Sequence, residues 1–144
     1  MILVDTNVLV RLPNGTDPLR DIAKSALIHI MRGQERLVIA PQCLYEFWVV
    51  MTRPEKENGY GFTPARAGRW LRRLRHLAAL LPDDLAVYER WENLVISQNT
   101  IGKKGHDAHL VAWMQLHGVA SILTFNAGDF TRYGITVIDP RTIA

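Results

Sequence analysis

Cysteine is almost missing from this chain: among 144 residues there is one, Cys43. A single thiol forms no internal disulfide, and the five histidines are scattered, so neither a disulfide framework nor a zinc-type ligand cluster is legible. A reducing cytoplasm is the expected setting. Long hydrophobic runs are lacking too, and none approaches the ~20 residues needed to span a bilayer. No membrane association is expected. The first residues, Met1-Ile2-Leu3-Val4-Asp5, have no basic leader and reach an acid at once, so no signal peptide is expected. With no repeat, no low-complexity linker and no shift in composition, residues 1–144 are expected to form one domain, long enough to bury a core unaided.

What is present is ordinary in amount and uneven in placement. The chain is 48% apolar and 22% charged, which fits a globular protein and excludes a disordered or fibrous one. Seventeen Lys and Arg stand against fourteen Asp and Glu, a net +3 too small to name a partner. Yet Arg66, Arg69, Arg72, Arg73 and Arg75 crowd one segment. At about 100° per residue, Arg66, Arg69, Arg73 and His76 share one helix face, continued by Arg72 and Arg75, with Trp70, Leu71, Leu74, Leu77 and Leu81 opposite. A solvated exterior accounts for such a face, but solvated faces mix signs and this one has no acid between Arg66 and Leu81. A polyanion is the expected contact.

Short apolar runs alternate with helical patterns. Ile2-Leu3-Val4, Leu37-Val38-Ile39, Ile122-Leu123-Thr124 and Ile135-Thr136-Val137-Ile138 read as buried strands, with Leu80-Leu81 a further short candidate. Helices are expected from about 8 to 12, 19 to 31, 44 to 51, 64 to 78, 84 to 97 and 106 to 117, with Gly33 and Gly118 as C-caps and Asp83 or Asp84 as an N-cap. This alternation predicts an α/β fold with a mainly parallel central sheet. Ligands in such sheets lie beyond the carboxyl ends of the strands.

Four acids fall near those ends. Asp5 closes the first strand, Glu46 lies in the helix after the second, Asp107 opens the helix at 106–117, and Asp129 comes after the strand at 122–124. Each has a plain reading alone: a helix cap for Asp5 and Asp107, a solvated helix position for Glu46, a turn for Asp129. Brought together, carboxylates repel unless a cation lies among them, and a few hard oxygen ligands suit Mg²⁺ or Mn²⁺. Acids at one edge and a basic flank fit a metal-assisted phosphodiester reaction.

The segments Ile2-Leu3-Val4-Asp5-Thr6-Asn7-Val8-Leu9, Pro41-Gln42-Cys43-Leu44-Tyr45-Glu46-Phe47-Trp48, His106-Asp107-Ala108-His109-Leu110-Val111-Ala112 and Leu123-Thr124-Phe125-Asn126-Ala127-Gly128-Asp129-Phe130 resemble the ordered motifs of PIN-domain proteins, most closely the VapC toxins of VapBC toxin–antitoxin pairs. The resemblance implies a three-layer α/β/α sandwich and a Mg²⁺- or Mn²⁺-dependent endoribonuclease. It also implies inhibition by a small VapB-like antitoxin and a homodimer. Carried over by position, Asp5, Glu46 and Asp107 match the acids around the metal, and Thr6 or Asn7 matches the polar support of the first acid. The chain departs from the pattern at Asn126, where many relatives carry Asp; Asp129 lies three residues further on, and a second metal ion is in question.

On this reading Asp5 and Asp107 bind the ion, Asp129 is a candidate for a further metal contact, and Glu46 orients the attacking water or takes its proton. Arg66, Arg69, Arg72, Arg73 and His76 become candidate RNA-phosphate contacts, with Arg53, Lys103 and Lys104 weaker ones. His106 and His109 read as surface histidines at a helix start, and Cys43 reads as core. Two rivals stand beside the ribonuclease. A phosphatase with an aspartyl nucleophile usually needs Asp-x-Asp after the first strand, and the second position here is Asn7. A degenerate PIN domain that binds RNA or a protein without cutting is favoured by Asn126.

Overall fold

Ile2, Leu3 and Val4 are apolar on both faces, which only a strand covered on both sides can use. In the computed structural model, which describes residues 1–143, they form β1 (Ile2–Val4), buried throughout and central in its sheet. Leu3 is paired in parallel with Val38 of β2 (Leu37–Ile39) on one side and with Ile122 of β4 (Ser121–Leu123) on the other. β3 (Ala79–Leu80) adds to β2, and β5 (Thr136–Ile138) adds to β4. The sheet is therefore all parallel, in the order β3-β2-β1-β4-β5.

Helices make the crossovers: α1 (Thr6–Leu9) and α2 (Arg20–Arg32) between β1 and β2, then α3 (Pro41–Thr52) and α4 (Pro64–Leu77) between β2 and β3. α5 (Leu85–Ser97) and α6 (Lys104–His117) lead from β3 back across the sheet to β4. Right-handed crossovers running in opposite directions place α2–α4 on one face and α5–α6 on the other. The result is the α/β/α arrangement. Trp113 of α6, Phe47 of α3 and Phe130 are among the largest side chains fully buried against the sheet. Truncating Phe47 to Ala would cost about 3–5 kcal/mol.

Local chemistry sets the ends. Pro41 and Pro64 start α3 and α4, where a missing N–H costs nothing. Asp84, rather than Asp83, caps α5 through the Ala86 and Val87 amides. Gly118 takes a left-handed conformation after α6 (φ 65°), as expected. Gly33 is the C-cap of α2, as expected, at φ −74°, and the left-handed residue is Gln34 after it, at φ 63°. The third strand is displaced by one residue from its expected place, because Leu81 continues the ladder only through its N–H to the Ile39 carbonyl.

Candidate active site at the carboxyl ends of β1 and β4

From β1 the chain builds outward to β2 and β3, and later returns to build β4 and β5 on the opposite side. The reversal leaves a crevice beyond the carboxyl ends of β1 and β4, where open parallel sheets bind ligands. Asp5 is the first residue past β1, and Thr124 the first past β4.

Asp5 is 8% exposed, and each hydrogen-bond partner of its carboxylate is a donor. Its Oδ1 accepts the Thr6 backbone N–H at 2.7 Å, which also caps α1. Its Oδ2 accepts the Thr124 hydroxyl at 2.7 Å and the Asn7 amide at 3.0 Å. Thr124, fully buried, in turn accepts from Asn7 Nδ2 at 2.9 Å and from the Asn126 backbone N–H at 3.1 Å. Asn7 Oδ1 accepts the Phe125 N–H at 3.1 Å, which fixes which way its amide faces. Burial pushes the Asp5 carboxyl up to about 6; the Thr124 and Thr6 bonds oppose the rise, and the charges of Glu46 and Asp107 add to it.

Glu46 projects from the first half of α3, with Oε2 accepting the Thr6 hydroxyl at 2.7 Å and Oε1 accepting Gln42 Nε2 at 2.8 Å. Thr6 thus serves two acids, Asp5 through its backbone and Glu46 through its side chain. Asp107, in the first turn of α6, is also raised to about 6, by burial first and then by the charges of Asp129 and Glu46, against the pull of His106 and Lys104. Asp129 is exposed on a 3-10 turn (Ala127–Asp129) and shares with Asp107, Lys104, Arg132 and Tyr133 a recess of about 40 Å³.

The charge of Glu46 therefore acts on both Asp5 and Asp107, so the acids at the end of β1, on α3 and on α6 lie within electrostatic reach of one another. A divalent cation relieves that repulsion, and an all-carboxylate, all-oxygen donor set suits Mg²⁺ or Mn²⁺ held by a few acids and water. Among the described residues no three His, Cys, Asp or Glu side chains form a ready-made cage. The chemistry of the donors fits such an ion bound in part through water.

The arginine-rich helix is α4. Arg66, Arg69, Arg72, Arg73, Arg75 and His76 are all exposed, while Ala67 and Leu74 are buried beneath them. Arg66 lies over the Phe62 ring at 3.7 Å and Arg73 over Trp70 at 4.9 Å. Among the described residues, no ion pair or hydrogen bond ties these cations to the acids of the crevice; α4 packs on α3, the helix that carries Glu46. Asn126 is exposed and joins the network through its backbone alone. Cys43 is buried as expected, and burial pushes its thiol far up, which leaves it inert.

Three participants are not singled out by the sequence. Thr124 is only a member of the last motif there, although a hydroxyl directly after a buried apolar run is a signal for a strand-end ligand. Gln42 stands four residues before Glu46, the spacing that makes helix neighbours. His109 is the correction: half-buried rather than a surface residue, its Nδ1 meets Gln42 Oε1 and its Nε2 lies 2.9 Å from Asp83 Oδ2.

Known structures share this fold. A toxin–antitoxin complex from Klebsiella pneumoniae superposes with a TM-score of 0.66 at 23% identity, over 97% of this chain and 98% of that one. VapC20 of Mycobacterium tuberculosis, described as a sarcin-ricin loop cleaving toxin, matches at TM-score 0.67 and 18% identity, over 94% and 97%. FitAcB of Neisseria gonorrhoeae matches at 0.70 and 16%, over 99% of each chain. A search of curated protein sequences finds no significant match. At these identities the structures establish a shared fold. The family described as "PIN domain" matches residues 2–135, a span that takes in every acid of the crevice, and on that match the chain belongs to the PIN-domain family.

Proposed function

We propose that this PIN-domain chain is a metal-dependent endoribonuclease and the toxin of a type II toxin–antitoxin pair. The observation that carries the reading is the grouping of Asp5, Glu46 and Asp107 at the β1–β4 crevice, with two of the three carboxyls raised to about 6 by burial first and then by the charges of neighbouring acids. Asp5 and Asp107, with Glu46, would hold Mg²⁺ or Mn²⁺, which supplies a Lewis acid that lowers the pKa of water and offsets charge on the phosphate.

The chain's own residues do the rest. Thr124, Asn7 and the Thr6 amide fix the Asp5 carboxylate, so its oxygens hold one orientation. Glu46, held by Thr6 and Gln42, orients the attacking water and takes its proton. Asp129 modulates Asp107 through its charge. Arg66, Arg69, Arg72, Arg73 and His76 contact RNA phosphates without reading sequence.

A VapB-like antitoxin is the proposed partner, since the relatives include a toxin–antitoxin complex, and Tyr45 and Val49 of α3 leave apolar surface exposed. A homodimer and a cytoplasmic setting complete the proposal; no described helix is long and apolar enough to cross a membrane.

The test is cleavage of total RNA by the parent and by Asp5→Asn, each with Mn²⁺, Mg²⁺ or EDTA. Discrete products from the parent alone, lost with chelator, are expected. Equal cutting by both proteins overturns the reading. Binding of RNA by a folded parent that never cuts it favours the second reading, a binding-only PIN domain, for which Asn126 in place of an acid is the specific observation.

A further inference from the structure

Glu46 is gripped from a direction that the acid cluster does not explain. Gln42 Nε2 donates to Glu46 Oε1 at 2.8 Å and to the backbone carbonyl of His106 at 3.1 Å. Both partners are pure acceptors, so the amide has one sensible orientation, with both Nε2 hydrogens used and Oε1 turned away from them. That oxygen faces His109 Nδ1, which therefore carries a hydrogen and donates it. On the other side of the ring, Nε2 lies 2.9 Å from Asp83 Oδ2 in the loop before α5. The chain Asp83–His109–Gln42–Glu46 thus ties that loop to α6 and α6 to α3. Since His106 immediately precedes Asp107, one amide sets Glu46 and the start of α6 relative to each other.

We propose that Gln42 is a positioning residue for Glu46 and that His109, steadied by Asp83, is the positioning residue for Gln42. The inference rests on the proposed ribonuclease function, in which Glu46 handles the attacking water. Without Gln42, Glu46 keeps only its bond from Thr6, and its second oxygen is free to swing. A general base displaced by a fraction of an ångström loses rate while substrate binding, made elsewhere, is unaffected. His109 carries no role of its own toward RNA in this account; it acts through Gln42.

The ring's two nitrogens can be separated by substitution. In His109→Asn the amide nitrogen falls where Nδ1 was, keeping the donor to Gln42 and losing Asp83. In His109→Gln the amide reaches toward the Nε2 position, keeping Asp83 and losing Gln42. His109→Leu loses both, and Gln42→Met removes the link itself. The experiment measures kcat and KM for RNA cleavage with Mn²⁺, alongside Asp5→Asn, thermal melting of every variant, and the NMR resonances of the Gln42 side-chain amide.

Gln42→Met, His109→Leu and His109→Gln should lower kcat about 10- to 100-fold with KM unchanged, while His109→Asn recovers most of the rate. The Gln42 amide resonances should move in His109→Leu and return in His109→Asn. The proposal is overturned if His109→Asn is as impaired as His109→Leu, if KM rises at constant kcat, or if the Gln42 resonances ignore His109→Leu. A merely structural role predicts losses that track the melting temperature and not the donor retained. Should the parent fail to cut RNA, the ribonuclease reading falls by itself, and the resonances alone decide whether the link from His109 to Gln42 exists.

Discussion

Thr124 donates its hydroxyl to Asp5 at 2.7 Å across a sequence separation of 119 residues. One proton and two lone pairs join the ends of β1 and β4, since the same oxygen accepts from Asn7 and from the Asn126 backbone. Thr124→Val keeps the shape and removes all three bonds. It leaves a buried carboxylate short of a donor and the Asn7 and Asn126 N–H groups short of an acceptor, a loss of about 1–3 kcal/mol. Urea denaturation of the metal-free protein should register this destabilisation, and cleavage should fall with it. Thr124→Ser, which keeps the hydroxyl, should restore both. Parent-like stability of Thr124→Val would mean that the hydroxyl does not organise the crevice.

The raised carboxyls make metal-free stability fall with rising pH. Asp5 and Asp107 hold their protons better in the folded chain, near 6, than at the ordinary value of 3.8. Their contribution is complete below the ordinary value and is lost as pH rises through about 6. Asp5, almost fully buried, accounts for about 3 kcal/mol of this; Asp107, more open to solvent screening, accounts for less. Denaturation in EDTA at a series of pH values should show the decline, reduced in Asp107→Asn. Mn²⁺ should reverse it, with greater stabilisation above the window than below. Mn²⁺ stabilisation independent of pH would separate the metal from these acids.

Arg69 offers the cleanest test of the basic face, because it is exposed and makes no ion pair among the described residues, whereas Arg66 and Arg73 also lie over aromatic rings. Arg69→Ala should weaken binding to unrelated RNA oligonucleotides to a similar extent. It should flatten the dependence of log K on log salt by about 0.7 for a single-stranded contact. Anisotropy titrations at several salt concentrations measure both quantities. Folding should be untouched. A loss confined to one RNA sequence would indicate base recognition rather than phosphate contact.

These contrasts show what a linear reading reaches. Ile2-Leu3-Val4 and Leu37-Val38-Ile39 announce buried strands because a strand covered on both faces has no room for alternation. Asp5 is visible because a charge directly after such a run is expensive to place without a purpose, and Glu46 and Asp107 are visible through the motifs that hold them. The arginine face emerges from helical spacing, and α4 presents it to solvent. The Thr124–Asp5 bond is not legible, since it depends on β4 lying beside β1, and strand order is a property of the whole fold. Asp83 and Asp84 are equivalent as letters; only the start of α5 makes one a cap and the other a partner of His109. Gly33 caps α2 as its letter suggests, whereas the left-handed turn falls on Gln34, because it depends on the path the chain takes into β2.

Asn126 is where charge and geometry make opposite suggestions. Its backbone N–H already supports Thr124, so the position belongs to the crevice, yet its side chain brings no charge. Asp129 supplies a nearby charge that acts on Asp107, but from an exposed turn. Asn126→Asp should therefore tighten Mn²⁺ binding several-fold in calorimetry at neutral pH, by adding an oxygen donor to an acid set that lacks one. Metal-free Asn126→Asp should be less stable than the parent, because a further carboxylate joins the repulsion. Asp129→Asn should do the reverse on a smaller scale, letting Asp107 ionise at lower pH and weakening Mn²⁺ binding only slightly. If Asn126→Asp leaves the Mn²⁺ affinity and the metal-free stability unchanged, its side chain points away from the ion, and the crevice is complete with Asp5, Glu46 and Asp107 alone.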